Sequence, residues 1–263
     1  MPERSGRTPR VAVAGNPNAG KTSIFNKLTG TVGAVANYPG VTVETRSGRA
    51  ERDGRDFEVV DLPGTYSLTA YSGEELVARN FIIEERPEVV IDVVDASNLE
   101  RNLYLTVQLM EMRAPLVIAL NMVDLARARG IEVDAPRLSR LLGVPVVPTV
   151  GNRGEGVEEL LSACARVAEE PPQASRVTYG HMVEGEVTRL ALLCGAEEGL
   201  ARRYAPRWLA VKLLEGDPDV LRRVRQLSDA SEQLEKAAAE SAGRIELHSG
   251  EDPATIIAER RYG

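Results

Sequence analysis

Residues 11–23 read Val-Ala-Val-Ala-Gly-Asn-Pro-Asn-Ala-Gly-Lys-Thr-Ser, an apolar run that passes directly into G-x-x-x-x-G-K-[ST] between Gly15 and Thr22. The run predicts a buried strand, and the apolar segment after it predicts a helix. Glycines at both ends of the turn let several backbone N–H groups point at one set of oxygens, and the following helix adds its positive N-terminal end. This is the composition of a phosphate cradle. Asn16, Pro17, Asn18, Ala19 and Gly20 form the turn, Lys21 is placed to reach β- and γ-phosphates, and Thr22, beside Ser23, is placed to ligate Mg²⁺ through its hydroxyl. A glycine-rich turn with a purely structural duty has no use for a Lys-Thr pair at the helix start.

Outward from this turn, as far as about Glu169, short Val-, Ile- and Leu-rich runs alternate with segments of helical period, the pattern of a βα sheet protein. The expected strands are Val11 to Ala14, Thr42 to Ala50, Phe57 to Asp61, Val89 to Asp95, Leu116 to Asn121 and Val144 to Pro148. Asp53-Gly54 is a hairpin signal, so the second and third should pair antiparallel and the rest parallel. The fold class is therefore α/β, a P-loop G domain with a mixed, mostly parallel six-stranded sheet flanked by helices. Glu169-Glu170-Pro171-Pro172 stops its last helix, which sets the expected domains at 1–170 and 171–263. Beyond the boundary Leu209, Lys212, Leu213 and Val220, Leu221, Val224, Leu227 recur at helical spacing. Gly216-Asp217-Pro218 reads as a helix stop followed by a new N-cap with proline in the first turn. A small all-α bundle is expected, with Trp208 as its anchor.

Two further strand ends carry chemistry. Asp61-Leu62-Pro63-Gly64 puts a carboxylate where it would hold Mg²⁺ through water, and a glycine whose N–H can approach a γ-phosphate. Asn121-Met122-Val123-Asp124 supplies the choice of base: the Asp124 carboxylate can accept both guanine N1–H and the exocyclic amine, a donor pair that adenine lacks. Met122 stands where N-K-x-D motifs have lysine, so stacking on the purine becomes merely apolar. Val150, Gly151 and Asn152 are placed to support the base with backbone N–H groups. Thr31 to Val41 reads as a mobile loop, with Thr42 as a second hydroxyl for Mg²⁺, and Thr65 to Phe81 as the companion switch. Thr65 occupies the place where Ras-like enzymes carry glutamine, which excludes glutamine-driven hydrolysis. Asn18 offers instead a side-chain oxygen that could hold a monovalent cation over the phosphates. Glu74 and Glu75 read as a solvated helical face.

Thirty-nine acids against 32 bases give a net charge of −7, which argues against nucleic acid as a partner. Hydrophobic residues at 43% and charged residues at 27% fit a globular chain. Cys164 and Cys194 fit neither a disulfide framework nor metal spacing and read as buried apolar residues of a reducing compartment. His181 and His248 are isolated and suggest no metal site. No run approaches a membrane span, the first ten residues lack a leader pattern, and the chain breaks off abruptly after a helical pattern at Arg260-Arg261-Tyr262-Gly263.

GNPNAGKT at Gly15 to Thr22, NYPGVTVE at Asn37 to Glu44, DLPGTYSL at Asp61 to Leu68, Ser72-Gly73-Glu74-Glu75 and NMVD at Asn121 together resemble the cytosolic N-terminal domain of the bacterial ferrous iron transporter B family. WLAVKLLEGD from Trp208 and IAERRYG from Ile257 resemble that family's helical domain, so the likeness covers nearly the whole chain. It implies a regulatory GTPase on the cytoplasmic face of the bacterial inner membrane, joined to a transmembrane iron-transport region. It also implies a helical domain likened to a nucleotide-dissociation inhibitor, possible homo-oligomers and possible small accessory proteins. GTP or GDP, Mg²⁺ and K⁺ are the implied ligands, with potassium on Asn18 and on carbonyls near Asn37 and Tyr38. Tyr38 replaces the family's usual tryptophan, and Gly151 stands where the family often has serine. Competing readings are a GTPase linked to ribosome assembly or tRNA modification, a P-loop kinase or ATPase, and a binding module without turnover.

Overall fold

The computed structural model describes residues 8–30, 34–37, 44–52, 54–69 and 72–262. They form two compact units, Met1–Thr106 with Ala114–Ser175, and Val107–Arg113 with Arg176–Gly263.

The first unit is built on β1 (Arg10–Gly15), β2 (Ala34–Asn37), β3 (Glu44–Arg52), β4 (Arg55–Asp61), β5 (Val89–Asp95), β6 (Leu116–Asn121) and β7 (Val146–Pro148). Its helices are α1 (Lys21–Thr29), α2 (Gly73–Glu85), α4 (Val123–Ala128), α5 (Ala135–Leu142), α6 (Val157–Glu169) and the start of α3 (Leu99–Glu111), whose residues from Val107 onward belong to the second unit, with a 3₁₀ turn at Ala96–Asn98. The sheet order is β2-β3-β4-β1-β5-β6-β7. β3 pairs antiparallel with β4 and β2 with β3, while β4, β1, β5, β6 and β7 run parallel. Gly54 turns the β3–β4 hairpin at φ 73°. All six expected strands are present, and β2 adds a seventh at the sheet edge. That corrects the reading of residues 31–41 as wholly loop: Ala34 to Asn37 pair in register with Ser47 to Glu44. Three small or β-branched residues suffice to extend the sheet once β3 offers a free edge.

Near-continuous apolar strands are the signature of a sheet covered on both faces. Val11, Val13, Phe25, Phe57, Ile91, Val117, Leu160 and Cys164 share one buried cluster on the α1 and α6 side. The chain leaves β1 to build β2, β3 and β4 on one side and crosses back to β5 on the other. The carboxyl end of β1 is thus a topological switch point, where open α/β sheets leave a crevice for ligands.

Every regular element among the second unit's described residues is a helix: the end of α3, then α7 (His181–Ala196), α8 (Glu198–Ala201), α9 (Pro206–Leu214), α10 (Pro218–Leu227), α11 (Ser231–Ser249) and α12 (Pro253–Tyr262). Residues 208–214 of α9 are all buried, so this helix is the core of the bundle rather than an amphipathic stripe. α9 packs against α7 and α11, and Trp208 stacks on Tyr204 at 5.7 Å. Asp217 caps α10 by accepting from the N–H groups of Asp219 and Val220, with Pro218 in the first turn.

This bundle also buries charge. The Arg261 guanidinium donates to both Glu111 oxygens at 2.7 and 2.9 Å and also bonds Glu215. Burial works against its charge, yet Glu111 and Glu215 outweigh burial and hold the pKa above the ordinary arginine value. Lys212, 1% exposed, lies 2.9 Å from Glu215. Tyr179 donates its hydroxyl to Glu111 at 2.6 Å. Both cysteines are free and buried, and burial pushes each thiol up to about 12.

Candidate functional site

The turn between β1 and α1 is shaped by backbone geometry that side chains disfavour. Gly15 sits at φ 152°, where a Cβ would lie 2.7 Å from the Val93 carbonyl oxygen. Gly20 sits at φ 88°, where a Cβ would meet the Asn121 amide nitrogen at 2.3 Å. Asn18 adopts the left-handed region at φ 67°, which asparagine tolerates better than most residues. The Ala19 N–H closes the turn on the Asn16 carbonyl at 3.2 Å. Lys21, Thr22 and Ser23 then open α1, whose first turn holds no acidic residue to occupy its free N–H groups.

Lys21 and Asp61 meet: the ammonium donates to Asp61 Oδ1, with side chains 11% and 8% exposed. Burial pushes the Asp61 carboxyl up, and Lys21 and then Arg46 oppose that shift. Asp61 ends β4 beside β1, and the Thr65 N–H bonds the Gly15 carbonyl at 3.2 Å. Gly64 therefore lies against the cradle, 3.4 Å from the Pro17 Cα at its would-be Cβ. Oxygen donors on Thr22 and Asp61 suit a hard cation such as Mg²⁺.

Asn121 ends β6, and its side chain is spent within the protein. Its Nδ2 donates to the Ala19 carbonyl at 2.8 Å, while Oδ1 accepts the Gly151 N–H at 2.9 Å and the Thr149 hydroxyl at 3.2 Å. One carboxamide thus ties the cradle to the segment after β7. Met122 takes the left-handed conformation at φ 60° and caps α4, which sets Asp124 in that helix's first turn. The Asp124 carboxylate is about one-third exposed and lies 3.7 Å from the Arg153 guanidinium. Val150 is buried and bridges Glu155, Gly151 is buried, and Asn152 is exposed. A Gly151 Cβ would stand 2.9 Å from Ile24 Cδ1, so a serine at this position has no room unless Ile24 shifts.

These positions gather Asn16 to Ser23, Asp61, Gly64, Asn121, Asp124 and Val150 to Asn152 at the carboxyl edge of one sheet. Asn37 ends β2, whereas Tyr38 and Thr42 lie outside the described residues. Glu74 is exposed, but Glu75 is committed. It bonds the Ser72 N–H in a capping box and accepts from the Ser67 hydroxyl at 2.5 Å. The Ser72-x-x-Glu75 spacing carried that signal. Thr149 and Arg153 escaped the sequence reading, since neither belongs to a spaced motif.

Residues 9–164 match the family described as Ferrous iron transport protein B, and residues 179–263 match the FeoB cytosolic helical domain. A Porphyromonas gingivalis Fe(2+) transport protein A/Fe(2+) transporter FeoB fusion protein is 44% identical over 266 residues, 98% of this chain and 31% of that protein. The Escherichia coli Fe(2+) transporter FeoB is 40% identical over 256 residues, 96% of this chain and 32% of that one. The chain thus spans about a third of the length of these relatives. Among solved structures, a GDP-bound S. thermophilus NFeoB mutant superposes with TM-score 0.87 at 37% identity, covering 97% of this chain and 96% of that one. The cytosolic domain of the T. maritima FeoB iron transporter in apo form gives 0.77 at 35% identity, covering 94% and 99%. Among the described residues no helix is long and apolar enough to cross a membrane.

Proposed function

The chain belongs to the ferrous iron transport protein B family, and on that premise we propose that it is the GTP-hydrolysing regulatory part of a ferrous iron transporter, working on the cytoplasmic face of the bacterial inner membrane. Residues 1–170 act as the G domain, and residues 171–263 act as a helical domain that governs release of GDP. A transmembrane iron-transport region is its principal partner, with small accessory proteins and a second copy as further ones.

The observation that carries the nucleotide reading is the Asn121 carboxamide, which bonds Ala19 and Gly151 together and so fixes the spacing between phosphate cradle and base loop. A guanine read by Asp124 then has its phosphates delivered to the turn of residues 16–20 and to the free N–H groups that open α1 at Lys21, Thr22 and Ser23. Lys21 exchanges its bond to Asp61 for β- and γ-phosphate oxygens, which frees the carboxylate. Asp61, Thr22 and Thr42 would hold Mg²⁺, which when bound supplies positive charge to the phosphates. The Gly64 N–H faces the γ-phosphate. With Thr65 in place of a glutamine, turnover is slow unless Asn18 and carbonyls near Asn37 and Tyr38 hold potassium, whose charge offsets that developing on the phosphates. GDP-bound and GMPPNP-bound relatives support the guanine part of this reading. The family match also favours it over an RNA-linked GTPase.

Phosphate release measured with GTP and ATP, each in potassium and in sodium, tests it. GTP alone should turn over, faster in potassium, and Asn18→Ala should lose the potassium response. Equal turnover of ATP contradicts the base assignment, and equal rates in the two salts contradict the cation assignment.

A further inference from the structure

On the α3 flank of the cradle lies a cleft of about 160 Å³, lined by Asn16 to Ala19 on one wall and by Tyr66, Asn98, Arg101 and Asn102 among the others. It shares the Asn16 to Ala19 turn with the phosphate cradle, whereas Lys21, Asp61 and Asp124 do not border it. One residue spans it. The Arg101 carbonyl, in the first turns of α3, accepts from Asn16 Nδ2 at 3.4 Å, and its guanidinium lies 4.2 Å over the Tyr66 ring. Asn16 is 2% exposed, and its Oδ1 has no partner among the described residues, so the Arg101 carbonyl is the one protein group its carboxamide holds. Among the described residues Arg101 makes no ion pair, which leaves the guanidinium committed to the aromatic face.

Tyr66 stands at a decisive place. Upstream the segment is fastened to β1, by Leu62 N–H to the Val13 carbonyl at 3.0 Å and by Thr65 N–H to Gly15 at 3.2 Å. Downstream it is fastened by the Ser67 and Glu75 bond into the α2 cap. Tyr66 itself is 41% exposed, and Arg101 is what it packs on. We infer that Arg101 is a positioning residue for GTP hydrolysis: by holding Asn16 through its carbonyl and Tyr66 through its guanidinium, it sets the Gly64-Thr65 backbone against the cradle. It touches no reacting atom. The inference rests on the GTPase reading above.

An exposed guanidinium over a tyrosine stabilises by an amount that corresponds to about a two- to fivefold effect. Arg101→Ala and Tyr66→Ala should each lower kcat by about that factor, and the double variant should be no slower than either single one. Tyr66→Phe keeps the ring and should turn over like the native chain. GDP affinity should stay within about twofold, since the cradle and base loop are untouched. Backbone amides of residues 66–69 should exchange hydrogen faster in Arg101→Ala than in the native chain. Unchanged kcat, multiplied losses in the double variant, or a matching loss of GDP affinity would overturn the inference. So would unchanged exchange at residues 66–69, a readout that needs no turnover. A native chain without GTP turnover sinks the GTPase reading and with it the catalytic part of this role.

Discussion

Asn121 and Arg261 are both buried polar residues that join distant parts of the chain, and they do so to opposite ends. Asn121 spends both polar atoms of its side chain on neighbouring loops, and the start of α1 beside them leaves its first N–H groups, at Lys21, Thr22 and Ser23, without an acidic side chain in the first turn. Arg261 closes a circuit with Glu111 and Glu215 that leaves nothing for a ligand. Buried polarity in the first unit prepares a site, whereas in the second it locks a bundle. The same burial raises opposite expectations for mutation: loss of binding in one, loss of fold in the other.

Breaking the circuit should have the largest effect. Arg261→Leu leaves Glu111 and Glu215 without their common cation in a buried place, a change that costs about 3–5 kcal/mol in comparable settings. Chemical denaturation should show that loss for the helical unit, while GDP binding by the first unit stays measurable. A loss confined to nucleotide affinity would blur the contrast.

Lys21→Ala comes next. It should weaken GTP binding and turnover by about 10²- to 10³-fold, because one preorganised donor at the phosphates is gone. Folding should be nearly preserved, since Asp61 can take up a proton once its partner is removed. Comparing melting curves with nucleotide titrations separates the two outcomes.

A third test uses the sheet itself. Asp92 on β5 is 1% exposed, and its one described hydrogen bond comes from the Thr106 hydroxyl at 2.5 Å. Burial pushes its carboxyl up to about 7, with Thr106 opposing. The folded chain therefore keeps a proton that the unfolded chain has already released. Stability contributed by this group falls as pH rises from about 4 to about 7 and is level above, at a slope of up to about 1.4 kcal/mol per pH unit. Asp92→Asn should flatten that slope in melting measurements between pH 5 and 8, and an unchanged slope would assign the titration elsewhere.

Much of this was legible in residue order. Spacing alone located the cradle, the hairpin at Gly54 and the Asp217 cap, because each is a local rule in which a few neighbouring residues decide the geometry. What stayed hidden was non-local. The edge strand Ala34–Asn37 exists because β3 offers a partner, the burial of Lys212 follows from helices on all sides of α9, and the Arg101 contact with Tyr66 joins residues far apart in sequence. Glu75 was read as solvated although its capping-box spacing was visible; there the local rule was present and overlooked. Its removal sets the smallest expected effect: Ser72→Ala should cost about 1 kcal/mol through loss of the α2 cap, seen as faster amide exchange in that helix.

In the proposed function one carboxylate, that of Asp124, selects guanine for a cradle held at fixed spacing from it. Titration calorimetry of the chain with GDP and with ADP tests it most directly. GDP should bind at least about 100-fold tighter, as expected when two hydrogen bonds to a charged group are at stake, and Asp124→Asn should erase the difference. Equal affinities for GDP and ADP in the native chain would contradict it.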